Sequence, residues 1–245
     1  MTQNIYDTPA FFAGYSQMGR SLQGLAGAPE WPALQALLPL MQGLKVVDLG
    51  CGYGWFSRWA QEQGAEQVLG LDVSQKMLAR AKEMTSSSAI TYAIADLEQL
   101  DLPDAAYDLA YSSLAFHYIT DLPGLFARIH KALKPGGRLV FSIEHPIFMA
   151  PRQPGWQVDE QGSKSWPLDS YQLEGPRVTD WLAKGVIKQH RTLGTLLNML
   201  IKAGLSLSHI EEWGPSAADL VARPELAEEL ERPMMLLVAA QRPTL

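Results

Sequence analysis

Two acidic residues and a glycine-rich run form the segment of this chain with the clearest potential for chemistry. Asp48 stands just before the run Gly50-Cys51-Gly52-Tyr53-Gly54, and Asp72 follows further along the chain. Glycine has no Cβ, so the chain can turn sharply and bring backbone N–H groups against a ligand. A carboxylate at the end of the next strand can accept both hydroxyls of a ribose. The pattern indicates a nucleotide-type ligand, but Trp55 occupies the place of the third glycine in a dinucleotide fingerprint.

Histidines near predicted strand ends are the candidates for proton transfer. His117 follows the fourth predicted strand, and His145 directly follows the fifth. We predict both as catalytic residues because histidine is the most frequent general base, while a packing role stays open for each. No pair of histidines stands beside a carboxylate in the H-E-x-x-H pattern, and Cys51 is the only cysteine. We therefore expect no metal site.

Alternating apolar strands and amphipathic helices must position these residues. The predicted strands are 45–49, 67–72, 90–94, 107–112, 138–143, 205–213 and 234–241. The predicted helices are 55–63, with Gly64 after its end, 75–84 with Ser74 as N-cap, 122–133 and 192–203, and short helices precede the sheet up to about residue 40. This order predicts an α/β fold, with a parallel sheet and helices on both faces. Ligands of such sheets bind at the carboxyl ends of the strands.

The regular alternation of predicted strands and helices ends after Pro146. Residues 147–190 are rich in proline, glycine and tryptophan and show little periodicity. We interpret them as an apolar lid over the site, carrying Trp156, Trp166, Tyr171 and Trp181; a small separate core or a dimer contact are the alternatives.

Size and charge narrow the classes of partner. The 245 residues carry a formal charge of −6 and no basic run, which argues against a nucleic-acid partner. The N-terminus lacks the basic start and apolar run of a signal peptide, and no apolar stretch is long enough to cross a bilayer. We expect a cytoplasmic protein without a membrane partner, either a monomer or a homodimer.

The segment from Lys45 to Ile143 resembles the class I S-adenosylmethionine (SAM)-dependent methyltransferases of the small-molecule type-11 group. The resemblance rests on Asp48 to Gly54, on Asp72 and on Ala95-Asp96-Leu97. It also rests on the core of the fourth strand, Tyr107-Asp108-Leu109 with the residues from Ser112 to His117, and on the run from Leu133 to Gly137 before the fifth strand. It implies a Rossmann-like, seven-stranded, mostly parallel sheet whose last strand is antiparallel and lies between the fifth and sixth. The length and composition predict one domain over residues 1–245, with a helical cap at 1–40 and a lid insertion at 147–190.

The resemblance implies SAM as cofactor and S-adenosylhomocysteine (SAH) as product. Asp72 would bind the ribose, Asp48 would face the cationic methionine end, and Asp96 would accept the adenine amino group. The predicted cofactor-binding residues are Tyr15, Arg20, Asp48, Gly50, Cys51, Gly52, Gly54, Asp72, Val73, Met77, Ala95, Asp96, Leu97 and Ser112. The predicted substrate-binding residues are His145, Tyr171, His190 and Arg191. Arg191 could bind a substrate carboxylate or pair with Glu144 or Glu174.

The leading hypothesis is an enzyme that transfers a methyl group by in-line displacement to a small organic acceptor, an oxygen or nitrogen nucleophile. Two alternatives stay open. One is a SAM-binding sensor or scaffold without turnover, and the other is a nicotinamide-dependent oxidoreductase, against which Trp55 argues. The residues after the fourth strand, Ser112 to Ala115, lack the Asn/Asp-Pro-Pro-aromatic tetrapeptide of amino-methylating DNA and protein-glutamine enzymes.

Overall fold

A seven-stranded β-sheet lies at the centre of the protein, in a computed structural model that describes residues 3–244. The strands in chain order are β1 (Lys45–Leu49), β2 (Gln67–Asp72), β3 (Ile90–Ile94), β4 (Tyr107–Ser113), β5 (Leu133–Glu144), β6 (Gln157–Val158), β7 (Lys164–Ser165), β8 (Gly175–Thr179), β9 (Val186–His190), β10 (Ser206–Trp213) and β11 (Met235–Gln241). The helices are α1 (Pro9–Ser16), α2 (Gly19–Leu22), α3 (Trp31–Ala36), α4 (Trp55–Glu62), α5 (Gln75–Glu83), α6 (Leu122–Ala132), α7 (Pro146–Met149), α8 (Leu193–Lys202) and α9 (Ala217–Ala222). Within the described range, none of these helices has the length and apolar character needed to cross a bilayer.

The strand order of the central sheet is β10-β11-β5-β4-β1-β2-β3. β1 pairs in parallel with β2 and β4, and the parallel pairing continues to β3 and β5. β11 runs antiparallel to both of its neighbours, β5 and β10. The predicted sheet is confirmed: its last strand, β11, is antiparallel and lies between β5 and β10, which are the fifth and sixth strands of the prediction.

Helices cover both faces of the sheet because its central strands are apolar on both sides. On one face, Phe126 of α6 and Leu200 of α8 pack with Val47 of β1. On the other face, Phe56 of α4 stacks on Tyr111 of β4, with ring centroids 3.5 Å apart. An aromatic pair adds about 0.5–1.5 kcal/mol beyond the burial of its area. This contact holds α4, and the glycine run before it, against the sheet.

Side-chain caps begin α5 and α8, and the one at Ser74 is the predicted cap. Ser74 accepts a hydrogen bond from Met77 N, and Thr192 accepts one from Thr195 N. Each cap satisfies an N–H group that has no partner inside its helix. The cap at Ser74 starts α5 two residues after Asp72, which keeps that carboxylate at the end of β2.

Two element boundaries differ from the prediction by more than one residue. The last of the short helices expected up to about residue 40 is α3, which ends at Ala36, consistent with Pro39, which disfavours helical geometry at Leu38. β5 begins at Leu133, well before the predicted residue 138, because Leu133 pairs with Tyr107 of β4. Neither difference moves a strand end at the ligand-binding edge.

Residues 147–190 contain more regular structure than their sequence predicts. Two antiparallel hairpins lie within them, one of β6 and β7 and one of β8 and β9. The prediction missed them because β6 and β7 have only two residues each, and β8 begins with Gly175 and Pro176, which are rare in strands.

The second hairpin packs against the N-terminal helices. Phe11 of α1 and Val186 of β9 are buried in one apolar cluster, and the Trp181 ring lies 5.4 Å from the Phe11 ring in an edge-to-face contact. This cluster brings the N-terminal segment and the insertion together beside the carboxyl ends of the strands.

Candidate active site

A cavity of about 950 Å³ lies at the carboxyl ends of the parallel strands. Its volume is at the upper end of the range for small-molecule sites, about 300–1,000 Å³. Each of the five parallel strands β1 to β5 contributes residues at or just beyond its end. These residues are Gly50, Gly52, Asp72, Val73, Ala95, Leu97, Ser113, Leu114, Ala115 and Glu144. The cavity therefore spans the point between β1 and β4 where the strand order reverses, the usual ligand position in such sheets.

The glycine run after β1 forms one wall of this cavity. Gly50 N and Cys51 N donate hydrogen bonds of 2.8 and 2.9 Å to Leu71 O, which hold the run against β2. Gly50 has φ of +79°, and a Cβ at this position would lie only 2.6 Å from the Cβ of Ala115. A larger residue would fill the space between β1 and β4, so glycine keeps the backbone accessible to a ligand.

Asp72 is fixed in orientation at the end of β2. Its Oδ2 accepts a hydrogen bond from Gly52 N and its Oδ1 accepts one from Ser74 N, both at 2.9 Å. Burial raises the pKa of Asp72, and these two backbone hydrogen bonds oppose that rise. Each carboxylate oxygen keeps a second lone pair, so Asp72 can accept hydroxyl donors from a ligand in the cavity.

A smaller cavity of about 90 Å³ adjoins this end of the site. Asp48 lines it with 2% exposure and accepts a hydrogen bond of 2.6 Å from Ser57 Oγ. Burial raises the pKa of Asp48 to about 7. Arg20 lines both cavities and donates to the two carboxylate oxygens of Glu30 at 3.1 and 3.4 Å.

A buried ion pair marks the opposite end of the large cavity. Glu144, the last residue of β5, accepts a hydrogen bond of 2.5 Å from Lys188 Nζ of β9; the two side chains are 14% and 4% exposed. His117 Nε2 lies 4.0 Å from Glu144 Oε1, and His117 Nδ1 accepts a hydrogen bond from Glu144 N. Burial, with the charges of Lys188, Arg191 and Arg20, lowers the pKa of His117 well below its usual value. The imidazole beside the ion pair is therefore neutral at neutral pH.

Aromatic side chains line the cavity next to the ion pair. The hydroxyls of Tyr6 and Tyr118 are 3.3 Å apart, and Lys188 Nζ lies 4.9 Å from the centre of the Trp181 ring. Burial and the neighbouring Tyr6 and Glu144 raise the pKa of Tyr118 well above its usual value. These groups combine apolar ring faces with neutral hydroxyls.

Comparison with known proteins identifies the family. Residues 47–141 match a family model described as a methyltransferase domain. A solved S-adenosylmethionine-dependent methyltransferase from Mesorhizobium loti is 61% identical, with 89% of this chain and 100% of that chain covered and a TM-score of 0.87. The chain belongs to the class I SAM-dependent methyltransferases. A solved protein from Listeria monocytogenes is 38% identical to this methyltransferase, with 88% and 98% of the two chains covered and a TM-score of 0.81.

A relative with a named acceptor matches only part of the methyltransferase. The malonyl-[acyl-carrier protein] O-methyltransferase of Pectobacterium atrosepticum is 36% identical over 124 residues, which is 51% of this chain and 48% of that relative. The methyltransferase thus aligns with about half the length of this curated relative, and the family model ends at residue 141, before the insertion.

The residues around the glycine run suit SAM, the cofactor of the family. A Cβ at Gly50 would fill the space next to Ala115 that a ligand needs in order to reach the backbone. Asp72 is already oriented by two backbone donors. Nine of the predicted cofactor-binding residues line the large cavity together: Tyr15, Arg20, Gly50, Gly52, Asp72, Val73, Met77, Ala95 and Leu97.

The other five predicted cofactor-binding residues lie outside the large cavity. Asp48 and Cys51 line the smaller one. Gly54 is the N-cap of α4, and Asp96 accepts a hydrogen bond from Glu98 N. Ser112 is fully buried, and its hydroxyl donates to Leu49 O of the neighbouring strand β1. The residues that follow it, Ser113 to Ala115, line the cavity instead.

His145 does not occupy the position that the sequence predicts. Its ring is 1% exposed, with Nε2 2.9 Å from Glu212 Oε1, and its Nδ1 accepts a hydrogen bond from Ile147 N. The side chain therefore caps α7 and lies outside the cavity-lining set. The expectation that a residue following β5 faces the ligand fails here because Pro146 begins a helix at once, and the cap turns His145 away.

Tyr171 and His190 also lie outside the cavity-lining set. Tyr171 Oη accepts a hydrogen bond from Leu193 N, and His190 Nε2 lies 2.8 Å from Tyr171 O. Tyr171 thus joins the insertion to the start of α8, and His190 joins the end of β9 to Tyr171, so both side chains are engaged outside the cavity.

Arg191 also lies outside the cavity-lining set and contacts backbone carbonyls. Its Nη2 donates to Ile119 O at 2.6 Å and to Thr120 O at 2.9 Å. Glu144, one of its two suggested partners, pairs with Lys188. Arg191 therefore joins β9 to the loop after β4.

Sequence reasoning missed Glu144 and Lys188. Glu144 is a charged residue at the end of a buried strand, which is a sequence signal of a functional site. The prediction favoured the neighbouring His145 instead, because histidine is the most frequent general base. Lys188 has a weaker signal: Val186, Lys188 and His190 are the three buried positions of β9, so the lysine points inward.

The aromatic residues of the insertion serve two purposes. Trp156, Trp166 and Trp181 line the cavity. The Arg232 guanidinium also packs against three rings, at 4.6 Å from Phe148, 5.2 Å from Trp156 and 4.3 Å from Trp166. The insertion thus forms a small cluster of its own while it covers one side of the cavity.

Proposed function

We propose that this methyltransferase binds SAM at the Asp72 end of the large cavity and a small organic acceptor at the Glu144 end. One observation carries the proposal: a single cavity connects the glycine run and Asp72 with the ion pair at the end of β5. SAM supplies an activated methyl group, so the protein has to align the acceptor with it and exclude water.

The cofactor end follows from the geometry of the strands. Asp72 would accept the ribose hydroxyls, and Val73 and Met77 would pack on the adenine, since all three line the cavity beyond β2. Arg20 and Tyr15 would lie near the methionine portion, because Arg20 connects the two cavities. Asp48 would act from the smaller cavity, directly or through water.

The acceptor end is built from β5, the loop after β4 and the insertion. We propose that the helical cap at residues 1–40 and the lid at residues 147–190 belong to the same domain as the sheet and enclose the acceptor. The buried contact of Phe11 with Trp181 and Val186 supports this arrangement. His117 remains a candidate contact for the acceptor, whereas His145 does not, because it lies away from the cavity.

Transfer of tritium from [methyl-³H]SAM tests the function. The purified protein is incubated with phenols, alcohols, amines, small carboxylic acids and malonyl-acyl carrier protein, and labelled product and SAH are quantified. The proposal expects labelled product and equal SAH with at least one small-molecule class. Labelling of the carrier-bound malonyl group alone would contradict a small-molecule acceptor and would favour the acceptor in the name of the Pectobacterium relative. Saturable SAM and SAH binding with no transfer to any class would favour a SAM-binding protein without turnover.

A further inference from the structure

The polar groups at the acceptor end have hydrogen-bonding capacity that the protein does not use. Glu144 Oε2 and Thr179 Oγ1 are buried, and neither has a hydrogen-bond partner among residues 3–244. Lys188 Nζ donates one hydrogen bond within that range, to Glu144 Oε1, although an ammonium group carries three donors. All three side chains line the large cavity. A buried acceptor or donor without a partner is unfavourable, so a ligand that satisfies these groups gains affinity.

The charges of the pair select among ligand groups. Glu144 and Lys188 together are neutral, and the neutral His117 adds no charge. A carboxylate placed here would lie against the Glu144 carboxylate, and an ammonium would lie against the Lys188 ammonium. Like charges in a poorly solvated site repel strongly. A hydroxyl is uncharged, donates to Glu144 Oε2 and accepts from Lys188 Nζ, so it satisfies both groups at once.

The walls of this part of the cavity favour a ring. Trp181 lies under Lys188, and Tyr6 and Tyr118 form the adjacent surface. Aromatic faces pack well on a planar apolar ligand and exclude water from the polar groups beside them.

We infer that Glu144 and Lys188 form a subsite for the hydroxyl of a phenol-type acceptor, with Glu144 as the residue that takes its proton. The inference rests on the proposed function and narrows its acceptor class. During transfer the hydroxyl oxygen forms a bond to the methyl carbon, the carbon–sulfur bond breaks with its electron pair moving to sulfur, and the proton moves to Glu144 Oε2. Lys188 retains its charge and holds the carboxylate in place.

Three matched probes test the subsite by direct binding: phenol, benzoate and benzylamine, with and without SAH. They carry one ring each and differ in the hydroxyl, carboxylate or ammonium group. Binding is followed by ligand-observed NMR on wild type, on Glu144→Gln and on the double variant Glu144→Gln/Lys188→Met. The double variant removes both charges and so avoids a lone buried ion. Asp108→Asn/Lys134→Met, which removes an ion pair at the other end of β4, is the matched control.

The inference expects phenol to bind wild type about tenfold more tightly than either charged probe, and both Glu144 variants to bind phenol at least about tenfold more weakly than wild type does. If phenol is methylated, Glu144→Gln should lower kcat by about 100-fold or more with SAH affinity unchanged. Stronger binding of benzoate or benzylamine, or a phenol affinity of the double variant equal to that of wild type, would overturn the inference. Failure of SAH to bind wild type would instead count against the proposed function, while the probes without SAH still report on the subsite.

Discussion

The Asp72 carboxylate and the Gly52 backbone are joined by a hydrogen bond of 2.9 Å from Gly52 N to Asp72 Oδ2. The bond links the end of β2 to the glycine run after β1, across two neighbouring strands. The second oxygen of the carboxylate is held by Ser74 N at the start of α5. The glycine run and the start of α5 thus fix one side chain at the end of β2, so the site can bind a ligand with little reorganisation.

Replacing Asp72 should weaken cofactor binding. Asp72→Asn keeps the size of the side chain but removes the charge and replaces one accepting oxygen with an NH₂ group. We expect SAM and SAH to bind at least about tenfold more weakly, because hydrogen bonds to a charged group contribute about 1.5–3 kcal/mol. Isothermal titration calorimetry measures the change. Asp104→Asn, at an exposed carboxylate that pairs with Lys131, should bind both ligands like wild type; equal affinity of the Asp72 variant would remove Asp72 from the cofactor site.

Asp48 should make the stability of the protein depend on pH. Burial raises its pKa in the folded state to about 7, above the value in the unfolded chain. Between these two values the folded state binds more protons, so the free energy of unfolding falls as pH rises towards 7 and levels off above it. Asp48→Asn removes this contribution, on the order of a few kcal/mol at most. Urea unfolding from about pH 5 to pH 8 should therefore show a smaller decline in the variant than in wild type.

A second substitution checks the sign of that effect. The hydrogen bond from Ser57 Oγ lowers the pKa of Asp48, opposing burial. Ser57→Ala should raise this pKa further and extend the decline in stability to higher pH. Identical pH profiles for wild type and Asp48→Asn would mean that Asp48 titrates alike in the folded and unfolded states.

Gly54 should be intolerant of a side chain. Its φ is +69°, and a Cβ there would overlap the hydroxyl of Tyr92. We expect Gly54→Ala to lower the free energy of unfolding by about 2 kcal/mol or more, the sum of backbone strain and overlap. Gly162→Ala is the matched control: φ is +82° and no described atom lies within 4 Å of the added Cβ, so only the strain of about 1–2 kcal/mol remains. Denaturant unfolding measures both.

The overlap can be relieved in part. Adding Tyr92→Phe to Gly54→Ala removes the hydroxyl but leaves the ring in close approach. The double variant should recover a fraction of the lost stability. Equal destabilisation by Gly54→Ala and Gly162→Ala would show that the Tyr92 contact contributes nothing.

Arg232 should hold the first hairpin of the insertion in place. Its side chain is 7% exposed, pairs with Glu229 and contacts the Phe148, Trp156 and Trp166 rings. A cation–π contact contributes about 0.5–2 kcal/mol, so Arg232→Gln should loosen residues 150–170 and speed their cleavage in limited proteolysis. Arg223→Gln, at a more exposed ion pair with Asp219, serves as the control. Unchanged cleavage in the Arg232 variant would show that the hairpin is held by other contacts.

Much of the fold follows from local sequence. The bounds of β1, β2 and β3 agree with the prediction because each is a short, mostly apolar run followed within two residues by glycine, serine or aspartate. The position of Asp72 at a strand end and the cap at Ser74 are local properties too. Each follows from residues that are neighbours in the chain, so spacing alone predicts it.

The acceptor end depended on tertiary structure. Glu144 and Lys188 are separated by 44 positions, and only the return of β9 to the end of β5 joins them. The same folding turned His145 into a helix cap and placed Arg191 on backbone carbonyls. The sequence by itself determined the sheet, the glycine run and the place of Asp72 at a strand end. Which charged groups line the β5 end of the cavity was decided by long-range packing, because the side-chain direction in an irregular insertion depends on the surfaces it meets rather than on its own periodicity.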